Sequence, residues 1–229
     1  MRFHSWLVLC LLPHIGLSQR VSFGVKVGAP MSPESQYDPY SPYECARSTV
    51  GQICGNNYFA AKPYVVGSTV EAFLPWNLSI EGDVLYRRFH KDISEGLRVG
   101  RGNGFVSFGR RAGVGAGAWL FPLLLKYSPA HWRTSPFVTA GATLRHLGPF
   151  DGQGVELSFF LEPHAQTFHI DSGRNLDVAI TSGAGVRLRL AFLDVSPEIR
   201  FMHWTSPYYQ PAQNQAIFIL GITFPVRRR

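Results

Sequence analysis

Charged residues are scarce in this chain. Asp, Glu, Lys and Arg make up 16% of its 229 residues, whereas an ordinary soluble domain carries about 25%. No segment has the pattern of a long amphipathic helix, and no apolar run reaches the roughly 20 unbroken residues that a membrane-spanning helix needs. The chain instead has 23 glycines, 16 prolines and 45% hydrophobic residues. This composition excludes a disordered chain and favours an all-β fold with many turns.

Basic residues exceed acidic ones, with a formal net charge of +7, but they are scattered along the chain. Their only dense run lies at the C-terminus, from Arg227 to Arg229. A nucleic-acid-binding protein concentrates basic charge in a patch that accompanies a recognition motif. We therefore expect no nucleic-acid partner.

The N-terminus has the pattern of a secretory signal peptide. Arg2 precedes the apolar run "WLVLCLLPHIGL", and the small residues Gly16 and Ser18 stand at positions minus three and minus one before Gln19. We predict that residues 1–18 are a cleaved signal peptide and that residues 19–229 form the mature domain.

Cysteine is scarce as well, with three residues in all. Cleavage after Ser18 removes Cys10 and leaves Cys45 and Cys54 at the two ends of "CARSTVGQIC". In an oxidising compartment this pair is a candidate disulfide; the alternative is two free thiols. Metal binding is disfavoured, because no His or further Cys lies at ligand spacing. The sequence predicts no metal and no cofactor.

Apolar and polar residues alternate by twos in eight segments of the mature chain, the pattern of extended strands with one apolar face. In the fourth segment, "AWLFPLLLKYS", Leu120 and Leu124 make the second face apolar too, so periodicity leaves its orientation ambiguous. Pro122 argues there against a helix and strains a strand. The eight segments are 21–28, 64–74, 78–87, 118–128, 136–148, 176–190, 193–201 and 214–224.

The connections between these segments alternate in length. Four are long, at about 29–63, 89–116, 148–175 and 204–213, and the others are short. This asymmetry is typical of an eight-stranded antiparallel up-and-down transmembrane β-barrel, with long outer loops and short periplasmic turns. A soluble lipocalin-like barrel is the alternative, and it would point the apolar face inward.

Aromatic residues near the strand ends favour the membrane barrel, since lipid-embedded barrels carry two aromatic girdles. Trp119 and Tyr127 lie eight residues apart on one face, which corresponds to roughly 26 Å of strand. Trp76 and Tyr86 bracket the third segment in the same way.

In a membrane barrel the polar face points into the lumen, and an eight-stranded lumen is only just wide enough for side chains. Buried cations there must find anionic partners. We predict a salt-bridge core that plugs the barrel; the alternative is an ion path or gate. The predicted interior charges are Lys26, Glu71, Glu81, Asp83, Arg87, Arg145, Arg187, Arg189, Asp194, Glu198 and Arg200.

Five stretches of the mature chain carry a family resemblance: "SFGVKVG", "WLFPLLLKY", "PFVTAGATLRHL", "GAGVRLRLAFLDVSPEIRF" and "NQAIFILGITF". In these stretches, and over nearly all of the mature chain, the protein resembles the small bacterial outer membrane β-barrel (porin-like) proteins. The resemblance implies an outer-membrane location, contact with lipid, and a structural, adhesive or minor channel role. Phe224, preceded by Ile222, Leu220 and Phe218, resembles the family's final-strand signal for the barrel insertion machinery. Here "PVRRR" follows this signal, which usually ends the chain.

Three function classes stay open: a structural or surface-interaction scaffold, which we favour, a passive pore, and a lipid-modifying hydrolase. The sequence evidence for a hydrolase is weak, because all candidate catalytic residues lie in one predicted loop and have no strand to position them. These candidates are His164, His169, Asp171 and Ser172. We expect no enzymatic activity. "GVGAGAW" at 113–119 has no helix after it and is interpreted as a strand with close backbone approach. The first outer loop, rich in Tyr, Pro and Ser, suits an unidentified extracellular ligand as well as plain solvent exposure.

Overall fold

The computed structural model describes residues 21–32, 36–37, 46–47, 52–99, 106–129, 133–157, 164–170, 176–205 and 213–226. These residues form thirteen β-strands. In chain order the strands are β1 (Val21–Pro30), β2 (Gln36–Tyr37), β3 (Ala46–Arg47), β4 (Gln52–Ala61), β5 (Val65–Phe73), β6 (Leu78–Val99), β7 (Val106–Tyr127), β8 (Thr134–Leu147), β9 (Phe150–Leu157), β10 (His164–Ile170), β11 (Leu176–Arg189), β12 (Asp194–Trp204) and β13 (Asn214–Pro225). Among the described residues, no helix is long and apolar enough to cross a membrane.

Eight of these strands close into a barrel. Going round the ring, the order is β1, β5, β6, β7, β8, β11, β12 and β13, and every neighbouring pair is antiparallel. The last strand returns to the first, with Phe224 paired to Phe23. Closure leaves none of the eight strands with an unpaired edge in the ring. The predicted eight-stranded antiparallel barrel is confirmed.

The two ends of the barrel differ. At one end the strands are joined by short turns, such as the turn between β5 and β6, where Leu74 N–H donates to the Leu78 carbonyl oxygen at 2.8 Å. Trp76 and Asn77 in this turn have positive φ angles of 61° and 63°. The long connections all lie at the opposite end, which we call the outer end.

A sheet extends from the outer end of the barrel, and here the predicted loop boundaries are wrong. Strands β6 and β7 are each 22 residues long and stay paired as far as Val99 and Val106. Strand β4 pairs with the outer half of β6, β9 with the outer half of β7, and β10 with β9. Much of 29–63, 89–116 and 148–175 is therefore strand, because pairing with neighbours satisfies the backbone beyond the apolar band.

The side-chain orientation of β7 resolves the ambiguity of the fourth segment. Trp119 and Leu123 point outward and are exposed, whereas Leu120 and Leu124 are buried inside the barrel. Going around the ring, the other strands follow the same rule, with apolar residues outward and most polar residues inward. This is the inside-out arrangement of a membrane barrel.

Candidate functional site

The barrel interior contains most of the charged residues predicted for it. Ten of the eleven are buried and Arg189 is half-buried. Two further buried charges, Lys126 and Asp177, are absent from that prediction. Lys126 lies between apolar residues of the ambiguous segment, and only the orientation of β7 shows that it points inward. Asp177 lies on the predicted polar face, at the first inward position of β11. The ten buried residues are Lys26, Glu71, Glu81, Asp83, Arg87, Arg145, Arg187, Asp194, Glu198 and Arg200.

Among the residues whose burial the structure describes, the buried charges are balanced. Six cations, namely Lys26, Arg87, Lys126, Arg145, Arg187 and Arg200, face six anions, namely Glu71, Glu81, Asp83, Asp177, Asp194 and Glu198. Balance is required in a confined, low-dielectric lumen, since an unpaired buried charge costs several kcal/mol.

Glu81 is the centre of the network. Its carboxylate accepts hydrogen bonds from Lys26 and Lys126 and from the Nη2 of Arg200, the last at 2.5 Å. Asp83, the next inward residue of β6, accepts from Lys26 Nζ at 3.1 Å and from Arg200 Nη1 at 2.6 Å. Strands β1, β6, β7 and β12 are thus tied together across the lumen through two carboxylates.

Glu198 joins this centre from β12. It accepts two hydrogen bonds from Arg200, from Nε to Oε1 and from Nη2 to Oε2, both at 2.9 Å. Thr139 Oγ1 of β8 donates to Oε1 at 3.0 Å. Lys26 Nζ lies 4.0 Å from Oε2. Arg200 is therefore shared by three carboxylates, and the partner of Glu198 is the arginine two residues away.

A second group of contacts surrounds Glu71, nearer the end with short turns. Arg187 Nη2 donates to both of its carboxylate oxygens, at 2.5 and 2.6 Å, and Ser79 Oγ donates at 2.5 Å. Lys126 Nζ lies 3.7 Å from Glu71 and so connects this group to Glu81. The Arg187 guanidinium also lies 5.0 Å from the ring centroid of Phe73.

A different set of residues lines the outer part of the lumen. Arg145 of β8 pairs with Asp177, directly opposite it on β11. Its guanidinium stacks 4.2 Å from the ring centroid of Trp204, whose indole N–H donates to Gln215 Oε1 at 3.1 Å. Apolar side chains pack at the same level: Val65, Leu85, Leu120, Ala179, Met202, Trp204, Ile217 and Ile219.

A second apolar cluster lies further out, under the sheet extension; it contains Phe89, Ala112, Val114, Ala116, Ala118, Leu147 and Phe150. The inner half of the interior therefore holds the larger ion-pair network, and the outer half is mainly apolar around the Arg145–Asp177 pair. The sequence predicted the inward charges but not this apolar packing. Leu120 left the orientation of its segment ambiguous, and Leu85 lies between the outward residues Val84 and Tyr86 and does not stand out in the alternation.

The predicted girdle residues lie on the outward face or in a turn. Tyr86 and Trp119 face each other across β6 and β7, with ring centroids 5.1 Å apart and planes inclined by 58°. Tyr127 lies at the other end of β7, opposite Leu78. Phe224 is exposed on β13. Trp76 is 85% exposed at the tip of its turn, beyond the ends of the strands.

The "GVGAGAW" stretch forms part of β7, and its three glycines face outward beneath side chains of β6. A Cβ atom at Gly117 would lie 3.0 Å from Tyr86 Cε2, one at Gly115 3.5 Å from Arg88 Nε, and one at Gly113 3.4 Å from His90 Cε1. The glycines therefore let these side chains lie flat on the backbone of β7.

The remaining predicted residues fall partly outside the described part of the chain. Cys45 and the signal peptide lie outside it, and Cys54 lies in β4. Of the four hydrolase candidates, His164 and His169 lie in β10, and Asp171 and Ser172 lie outside the described residues. His169 Nδ1 is 2.6 Å from Asp151 Oδ1 of β9.

Within the described residues, no three His, Cys, Asp or Glu side chains form a group that could hold a metal ion.

No family model matches this sequence, and no curated protein matches it. Among solved structures it is similar to Ail, the attachment invasion locus protein of Yersinia pestis, in complex with the heparin analogue sucrose octasulfate. That match has 9% identity, 91% coverage of this chain, 97% of Ail, and a TM-score of 0.35. Ail without the analogue gives 8% identity, the same coverage and a TM-score of 0.33.

The translocator domain of the autotransporter NalP from Neisseria meningitidis is also similar, at 11% identity, with 95% of this chain and 91% of that domain covered and a TM-score of 0.27. Structural similarity with sequence identities and TM-scores this low gives no information about function. The closed ring itself, polar inside and apolar outside, is the fold of a small outer-membrane β-barrel protein.

Proposed function

We propose that this protein is an outer-membrane barrel that does not conduct and that serves as a scaffold for surface interactions. The observation that carries the proposal is what the lumen contains: buried ion pairs, most of them in the inner half, and apolar side chains packed around the Arg145–Asp177 pair in the outer half. The predicted secretory signal supports export of the chain, and we infer that the long connections face the cell surface, as they do in other outer-membrane barrels.

The outward face supports insertion into a bilayer. None of the outward-facing residues is Asp, Glu, Lys or Arg over 21–29, 66–72, 78–86, 119–127, 136–146, 176–190, 195–203 and 216–224. Large apolar side chains from all eight barrel strands are exposed there, including Leu123 at 63% and Ile180 at 64%. A contiguous apolar belt of this extent is unfavourable in water and favourable in lipid. With strands tilted by about 40°, the belt from Trp119 to Tyr127 is roughly 20 Å high.

The interior supports a closed barrel. An ion passing through would have to separate Glu81 from three cations and then cross a layer of Leu, Ile, Met and Trp side chains. Both steps are costly, since buried charges lose their partners in the first and the ion loses its hydration in the second.

The outer sheet supports an interaction role. Strands β4, β9 and β10 and the outer halves of β6 and β7 form a paired surface beyond the apolar belt. We propose that this surface contacts an extracellular ligand. We also propose that the insertion machinery recognises β13, which carries the exposed Phe224 one residue before its end. We propose no catalytic role for the His169 and Asp151 pair, because both side chains are more than half exposed on the outer sheet and are not held in a cleft.

Conductance and fractionation together test this proposal. Purified full-length protein in a planar bilayer should show little or no steady current. In cells it should fractionate with the outer membrane and migrate faster unheated than boiled. Stable ion-selective channels would establish the passive pore instead, and recovery as a soluble periplasmic protein would contradict the membrane location.

A further inference from the structure

We propose that the outer part of the lumen binds one small monovalent anion, of the size of chloride, beside Arg145 and Arg87. This inference goes beyond the proposed function, because it assigns a ligand site to the inside of the barrel. It requires only the closed ring of strands. It does not depend on what the outer sheet contacts.

The charges of the lumen balance as a whole but not at this level. Arg87 and Arg145 are 2% and 1% exposed, and their guanidinium groups repel each other. The only buried carboxylate that the structure describes at this level belongs to Asp177, which pairs with Arg145. Asp194, which completes the overall count of anions, lies opposite Arg189 on β11. Arg189 is twelve residues from Asp177, which corresponds to roughly 40 Å of strand.

Arg145 has a buried donor that binds nothing in the described part of the chain. Its Nη2 donates to Asp177 Oδ2, whereas its Nε has no hydrogen-bond partner there. A buried donor without a partner is unfavourable in a low-dielectric interior. A water molecule would satisfy Nε but would leave the excess positive charge uncompensated. An anion satisfies the donor and offsets the charge, and charge-assisted hydrogen bonds of this kind are the stronger ones.

Aromatic rings cover the faces of both guanidinium groups. The Cζ atom of Arg87 lies 5.3 Å from the ring centroid of Phe89, and that of Arg145 lies 4.2 Å from the ring centroid of Trp204. The donors of a guanidinium lie in its plane, so stacking on a face leaves the edge for hydrogen bonds. Arg87 has further contacts of its own, and what it contributes to this site is its positive charge.

The surroundings restrict the ligand to a small ion of single charge. Leu85 and Phe89 are the inward neighbours of Arg87 on β6. Leu85 belongs to the apolar cluster around Trp204, and Phe89 belongs to the cluster under the sheet extension. A bulky or multivalent anion would bring more volume or more charge than a site between two packed apolar clusters accepts.

Thermal unfolding of the purified full-length protein in a non-ionic detergent tests the site, with sodium chloride replacing sodium gluconate at constant ionic strength. Chloride binding should raise Tm in a saturable way, by roughly 3 to 6 °C at ten times Kd. Arg87→Gln removes the excess charge and should abolish this rise. The matched control is Arg88→Gln, which changes the next residue, on the exposed outward face, and should keep the full rise.

Crystals of the unmutated protein grown in sodium bromide give a second measurement, which decides the matter if Arg87→Gln does not fold. Anomalous scattering should place one bromide against Arg145 Nε. A water molecule at that position would overturn the proposal, and so would an equal rise in Tm for Arg87→Gln. A bromide peak without any dependence of Tm on chloride would show an adventitious ion only and would also overturn it. The proposed function fails separately, through conductance or fractionation.

Discussion

Glu198 and Arg200 form a two-point ion pair within a single strand, with Nε to Oε1 and Nη2 to Oε2 both at 2.9 Å. Residues two apart on a strand point to the same face, so this pair is set by local geometry. Its other contacts are long-range: Arg200 also reaches Asp83 and Glu81 on β6. The local Glu198–Arg200 pair is therefore also connected to the opposite side of the barrel through Arg200.

Removing Glu198 should destabilise the barrel. Glu198→Ala leaves six buried cations against five anions, and breaking a buried pair costs about 3 to 5 kcal/mol. The free energy of unfolding in lipid vesicles, measured by urea titration, checks this. Asp151→Ala, which changes an exposed carboxylate on β9, is the control and should cost less than about 1 kcal/mol. Channels of altered selectivity with unchanged stability would mean instead that these charges line an open path.

The Arg145 and Asp177 pair should show strong non-additivity. Arg145→Leu or Asp177→Leu alone leaves one buried charge without its partner and should cost about 3 to 5 kcal/mol. The double variant removes both charges, and its stability should lie within about 1 to 2 kcal/mol of the unmutated protein, because Leu packs beside Trp204. Equilibrium unfolding of all four proteins completes the cycle. Additive losses would show that the two side chains do not act as a pair.

A charge in the middle of the outward belt should prevent or weaken insertion. Leu123 is 63% exposed midway between Trp119 and Tyr127, and Leu123→Arg should cost about 2 to 4 kcal/mol at the bilayer midplane. Folding yield into vesicles and unfolding free energy are the measurements. Gln153→Arg, on the exposed outer sheet, is the control and should be neutral. Equal effects of the two substitutions would place the belt outside lipid.

Two glycines of neighbouring strands should respond oppositely to alanine. A Cβ atom at Gly67 would lie 1.9 Å from the Val84 carbonyl oxygen, whereas one at Gly82 meets nothing within 4 Å. Gly67→Ala should therefore cost about 1 to 3 kcal/mol or more through forced backbone shifts. Gly82→Ala should be neutral or stabilise by up to about 1 kcal/mol. Thermal unfolding of the two variants distinguishes them, and a harmless Gly67→Ala would contradict this strand packing.

Cys45 and Cys54 should be joined by a disulfide once the signal peptide and Cys10 are removed. Closing so short a loop stabilises by about 3 kcal/mol at most. Thiol labelling of intact, unreduced protein should modify neither cysteine, and labelling after reduction should modify both. Reaction of both before reduction would show that the pair is free.

The architecture of the barrel and the side on which most charges lie follow from the amino-acid sequence alone. Successive side chains of a strand point to opposite faces, so alternation alone assigns Phe23 outward and Lys26 inward without knowledge of any partner. Closure into eight strands followed from the number of alternating segments and the alternating lengths of their connections.

Contacts between residues on different strands of the ring depend on the tertiary structure and could not be predicted from the sequence. Arg187 finds Glu71 at a sequence separation of 116 residues, which no spacing rule specifies. The sequence left the face of Lys126 ambiguous, and only the pairing of β7 with its neighbours shows that this side chain points into the barrel. The outer halves of β6 and β7 carry polar residues such as Asp92 that are typical of loops, but pairing with β4 and β9 satisfies their backbone and keeps them extended. The alternation of residues along a strand predicts which face of the sheet each side chain occupies. The residue that it contacts on that face depends on the register between strands, and the register is fixed only when the barrel closes.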